Sequence, residues 1–188
     1  MKKLVILAVA ATLSSAAFAA TETYVIDNTH TYPRFEYNHL GYSIQVSRFD
    51  KTSGKITLDR AAKTGSVDVV IDAKSVNTGY ALFNEHIQAE DYFYTAKYPT
   101  ITFKSSSLKF DGDKLVAVNG DLTVKGVTKP VTLTVTSFHC MPHPMLKKDA
   151  CGANATTKIK RSEFNAGKNA PFVSDEVTLT IPVEAVKE

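Results

Sequence analysis

Seven residues, His139-Cys140-Met141-Pro142-His143-Pro144-Met145, hold most of the reactive chemistry in this chain. Thiolate, imidazole and thioether at such close spacing suit a soft transition metal, copper above all. A copper site would need a second histidine from elsewhere, and His30, His39 and His86 are the candidates. Cys151 offers Cys140 another partner. These are the only two cysteines of the chain, and a sulfur in a disulfide is no longer a thiolate ligand. We read the pair as a disulfide that staples a floppy insertion containing two prolines, two lysines and an aspartate. Closing a loop of about a dozen residues stabilises by roughly 3 kcal/mol on chain-entropy grounds. The copper or redox loop stands as the alternative.

Nothing else in the chain has the spacing of a catalytic site. There is no G-x-S-x-G elbow, no H-E-x-x-H pair and no glycine loop that would cradle phosphate. The carboxylates are scattered on strand faces and turns, and Ser105-Ser106-Ser107 reads as a polar strand end. The expectation is a protein that binds and does not catalyse, with no metal and no resident cofactor.

The first residues set the compartment. Lys2 and Lys3 precede the apolar run Leu4–Leu13, and small residues lead to Ala17-Phe18-Ala19, an A-x-A cleavage pattern. An apolar core of about ten residues is too short to span a bilayer, which takes roughly 20. Residues 1–19 are therefore read as a signal peptide and 20–188 as one exported domain, periplasmic in a bacterium. An even cysteine count agrees with an oxidising compartment. Losing Lys2 and Lys3 takes the formal net charge from +3 to +1, so charge argues for no nucleic-acid partner.

The elements that position these residues are strands. Gly120–Val135 reads as two strands joined by a Lys125-Gly126 turn, valines and leucines on one face and threonines on the other. Tyr24–Asp27, Arg34–Asn38, Lys55–Asp59, Ser66–Asp72, Thr100–Lys104, Thr156–Lys160 and Glu176–Val183 follow the same period-two pattern. Asp111-Gly112 is expected at the centre of a type I′ hairpin turn, and Pro182 at a sheet edge or bulge. Thr78–Glu90 departs from the pattern: Leu82, Phe83, His86 and Ile87 recur at helical spacing, with Asn77 or Thr78 as the cap. About eight antiparallel strands with one helical excursion fit a closed barrel or a sandwich. An eight-stranded barrel either just fills with side chains or holds one small apolar ligand.

Four segments carry a resemblance to a known family: Tyr24-Val25-Ile26-Asp27 with His30-Thr31; Phe35–Tyr42; Tyr98–Ser105; and Gly120–Val135. Lys160-Arg161-Ser162-Glu163-Phe164-Asn165 is a looser fifth. Through them the chain is identified as a member of the YceI-like family of exported, lipocalin-like proteins. The resemblance implies an all-β, antiparallel barrel of about eight strands, with one short helix closing an end. It implies non-catalytic binding, storage or transport of an isoprenoid lipid, either a polyprenyl chain or a ubiquinone-type quinone. It leaves room for a homodimer and for transient membrane contact. A stress-related structural protein with a filled core is the remaining alternative.

Where the family often has an Arg-Asp pair before the aromatic cluster, Phe83-Asn84-Glu85-His86-Ile87 keeps the histidine and lacks the pair, which points to a neutral head group. From strand alternation and the helix face, Phe35, Tyr37, Phe83, His86, Ile87, Tyr92, Phe93 and Phe103 are expected to line the interior.

Overall fold

The computed structural model describes residues 21–188; the expected signal peptide lies outside the described residues. The strands are β1 (Glu22–Ile26), β2 (Arg34–His39), β3 (Ser43–Phe49), β4 (Thr52–Asp59), β5 (Thr64–Asp72), β6 (Val76–Asn77), β7 (Thr100–Asp111), β8 (Lys114–Val124), β9 (Val127–Pro142), β10 (Asp149–Lys160) and β11 (Glu176–Lys187). One helix, α1 (Ala81–His86), lies between β6 and β7, and residues Ala73–Ser75 and Arg161–Phe164 form 3-10 turns. Eight strands run in the order β1-β4-β5-β7-β8-β9-β10-β11 and close into a barrel, because β11 pairs back onto β1. β2, β3 and β6 extend the sheet from the other half of β11.

Alternation explains the walls. In β8, Leu122 and Val124 are buried, while Thr128, Thr132 and Thr134 of β9 face water. Lys125 and Gly126 both have positive φ, +50° and +74°, as a type I′ turn requires. Gly126 is also sterically required, since a Cβ there would lie 2.6 Å from the Tyr98 ring. The next hairpin differs from expectation. Asp111 pairs with Lys114, so the central residues are Gly112 and Asp113, and of these only Gly112 has positive φ. That is the type II′ pattern.

Other departures follow from tertiary pairing. Ser105-Ser106-Ser107 is an irregularity inside β7 opposite β8, and the Ser105 hydroxyl accepts the Ser107 N–H at 3.0 Å. Pro182 occupies a strand flanked on both sides, at the gap where β11 changes partner. Thr178–Thr180 pair with β2 and Ala185–Lys187 with β1. Across that gap buried Thr31 exchanges hydrogen bonds with the N–H and C=O of Glu184. Pro182 presents the same side of the strand, and its missing N–H leaves nothing unpaired there.

The expected helix shortens to six residues. Gly79 turns the chain at φ +84° just before it. Neither Asn77 nor Thr78 caps it: Tyr80 holds the cap position without a side-chain bond. Asn77 Oδ1 accepts the Gly79 N–H and Thr78 Oγ1 the Tyr80 N–H, while the Thr78 N–H and hydroxyl donate to Asn84 Oδ1 at 2.7 and 2.8 Å. Leu82 consequently points to solvent.

The segment between the cysteines is also more regular than a stapled insertion. β9 and β10 run on through it as a hairpin that places Cys140 directly opposite Cys151, and the two form a disulfide.

Candidate functional site

Inward-facing side chains enclose one cavity of about 360 Å³, within the range of roughly 300–1,000 Å³ typical of small-molecule sites. The interior is therefore not filled, which removes the reading of a solid core. Its lining reaches from Tyr24, Leu58 and Cys151 at one end of β10 and β11 to Arg161, Lys168 and Asn169 at the other. Between them the wall is apolar: Val131, Leu133 and Val135 come from β9, and Leu179, Ile181 and Val183 from β11.

At the first end Tyr24 is almost fully buried. Its hydroxyl donates to Glu22 at 2.6 Å, and Lys187 holds the same carboxylate at 2.6 Å. Burial, reinforced by Glu22, pushes the Tyr24 phenol up to about 12. The Lys187 hydrogen bond, followed by that from Tyr24, holds Glu22 below its ordinary value. A second apolar cluster around Tyr24, Leu58 and Ala185 packs against the disulfide and seals this end.

The other end is built by α1, the turns that follow it and the loop before β11. Phe93 meets Phe35 and Phe49 edge-on, with ring centroids 5.7 and 5.4 Å apart. Lys168 bonds Asp91, and Asn169 Nδ2 donates to the Tyr92 hydroxyl at 3.3 Å, joining the loop to the turns. Arg161 is half-buried there.

Of the residues expected inside, Phe35, Tyr37, Phe83, Ile87, Tyr92, Phe93 and Phe103 border the cavity. His86 does not. It is exposed at the end of α1, its ring 5.9 Å from Phe83 and 5.0 Å from Tyr92. The short helix turns only Phe83 and Ile87 inward. Sequence reasoning placed strands at Thr156–Lys160 and Glu176–Val183 but named none of their residues for the lining, although the alternation Val177, Leu179, Ile181, Val183, Ala185 makes that contribution legible. It also overlooked Arg161, for which no local pattern signals a cavity position.

The copper reading does not survive. Both sulfurs are spent in the disulfide, and His143 Nδ1 accepts the N–H groups of Met145 and Leu146 at 3.2 Å. His30 lies elsewhere, bonded through Nδ1 to Asp27 Oδ2 at 2.8 Å. With Glu184 these two bring ligand-type atoms within 4.8 Å of one another, but Asp27 already caps the turn by accepting from Thr29.

Residues 24–185 match the sequence model of a family described as YceI-like domain. The chain is similar to Protein YceI of Escherichia coli O157:H7, at 39% identity over 190 residues covering 100% of this chain and 98% of that protein. Among solved structures it is similar to BcnA of Burkholderia cenocepacia, with a TM-score of 0.73 and 26% identity over 85% of this chain and 98% of that one. It is also similar to a polyisoprenoid binding domain from Saccharophagus degradans implicated in plant cell wall breakdown. There the TM-score is 0.65 and the identity 19%, over 88% of this chain and 98% of the other, a likeness of fold alone.

Proposed function

The chain belongs to the YceI-like family, and from that membership and its cavity we propose that it binds, stores or ferries an isoprenoid lipid without transforming it. The observation that carries this reading is the apolar wall running from Tyr24 to Arg161 around unfilled space. Each CH₂ moved out of water into such a space is worth about 0.8 kcal/mol, so a prenyl chain gains strongly from entering. The Saccharophagus degradans domain supplies a precedent for the ligand this fold holds.

Organic extraction and mass spectrometry of the purified protein test the proposal, followed by add-back of prenyl lipid to the stripped protein. A co-purifying or rebinding isoprenoid is expected. A stripped protein that refuses every added prenyl lipid overturns it.

The finer parts have their own support. The lack of an Arg-Asp pair at Asn84-Glu85 favours a neutral quinone head over a pyrophosphate; tighter binding of a prenyl pyrophosphate than of a ubiquinone would reverse that. The A-x-A leader and the disulfide favour the periplasm. Exposed Leu40, Tyr42 and Phe172 lie where the β2–β3 turn meets the loop before β11, with the Leu40 N–H donating to the Phe172 carbonyl. Their position near the polar end of the cavity favours brief contact with a membrane surface, which vesicle co-sedimentation would reveal.

A further inference from the structure

Arg161 is held in place by backbone carbonyls. Its Nε–H donates to Ser174 O at 2.8 Å, Nη1 to Ala166 O at 2.6 Å and Lys168 O at 2.7 Å, and Nη2 to Val173 O at 2.7 Å. A guanidinium carries five N–H donors. Four are used, so one N–H on Nη2 is without a partner among the described residues, on a half-buried side chain that borders the cavity. No carboxylate hydrogen-bonds to it among the described residues, and burial lowers its pKa, with Asp175 acting at a distance against that. A partly desolvated donor of this kind calls for an acceptor.

Tyr37 borders the same cavity, and its hydroxyl has no hydrogen-bond partner among the described residues. Its ring stacks on Phe35 with centroids 6.3 Å apart. Burial raises the phenol's pKa, the Arg161 charge opposes the rise, and no hydrogen bond contributes. The other basic side chains of the lining are committed or exposed. Lys168 is bonded to Asp91, and Arg34 and His39, which also border the cavity, are exposed to solvent. One guanidinium N–H and one phenol O–H suit a single uncharged acceptor oxygen. They do not suit a dianion, which in an apolar cavity needs several unpaired cations.

We infer that Arg161 Nη2 and the Tyr37 hydroxyl form a head-group station, donating to one carbonyl or hydroxyl oxygen at the polar end of the bound lipid. The assignment rests on the isoprenoid-binding reading and orients the ligand, its chain running toward Tyr24.

Tyr37→Phe removes the hydroxyl and keeps the ring. Binding of a short-chain ubiquinone and of squalene, a prenyl hydrocarbon without oxygen, is compared in both proteins. The variant should lose roughly five- to tenfold in affinity for the quinone, one hydrogen bond's worth, with squalene unchanged. Because replacing Arg161 would release the loop it holds, its part is read in the intact protein. The ¹⁵N resonances of the Arg161 guanidinium should shift with quinone and stay still with squalene.

Equal losses for both ligands, no loss for either, or an unmoved guanidinium would overturn the station while leaving lipid binding in place. Binding of neither ligand to the wild-type protein would end the lipid reading itself, and the station with it.

Discussion

His30 illustrates how single residues here are tuned by close neighbours. The Asp27 hydrogen bond raises its pKa above 6.5. Burial pushes Asp27 up, but hydrogen bonds from Thr29 and His30 outweigh it and hold the carboxyl below 3.8. Protonated His30 is thus favoured in the folded chain, a contribution complete below about pH 6.5 and lost as pH rises through the higher folded value. The Asp27 contribution is complete above about pH 4 and lost as pH falls through its lowered value. An NMR titration should find His30 protonating above its ordinary pKa, and Asp27→Asn should bring it back down. An unmoved His30 in that variant would show that the Asp27 contact does not set its charge. Residue types suggest such pairs, since Asp27 and His30 are three apart in a turn. They do not tell which way a side chain faces, as His86 shows.

At the scale of elements, the β9–β10 hairpin is stiffened by the disulfide across it. Converting both Cys140 and Cys151 to alanine should lower stability by about 2–3 kcal/mol in urea unfolding, with barrel circular dichroism retained. A loss of all structure would mean that the bridge directs folding rather than reinforcing it. Close approach matters equally in β8. A Cβ on Gly120 would lie 2.6 Å from Phe103 Cζ and 2.5 Å from the Lys104 carbonyl. Gly120→Ala should therefore cost about 1–3 kcal/mol, as overpacking does. A neutral change in the denaturation midpoint would show that the Phe103 ring yields freely.

The strands of this protein were legible because alternation and turn chemistry are local. β3 was not, because Ile44 and Val46 face outward while polar Ser47 shares the buried face with Phe49. The alternation of buried and exposed positions holds over Val46–Phe49, but apolar residues fall on both faces of this sheet extension, so the pattern does not tell which face is buried.

For the whole molecule the decisive property is unfilled volume. Leu133→Trp adds bulk directed into the cavity. In a filled interior such a change would cost about 1–3 kcal/mol. Here the thermal midpoint should hold while prenyl-lipid binding falls at least about tenfold, as expected when a binding pocket is occupied. A destabilised variant that still binds would place the ligand elsewhere.

The amino-acid sequence by itself determined the all-β class, the hairpin at Lys125-Gly126, the family and most of the inward aromatic residues. Those features depend on neighbours one to four positions apart, or on motifs contiguous in the chain. Tertiary structure decided that β11 closes onto β1, that Cys140 meets Cys151 as a cross-strand pair, and that Arg161 is held by four backbone carbonyls at the border of a cavity that Tyr37 also lines. It also decided that the interior is open. Closure and emptiness are sums over side chains brought together from more than a hundred residues apart, such as Thr31 and Glu184, and no local period records such a sum.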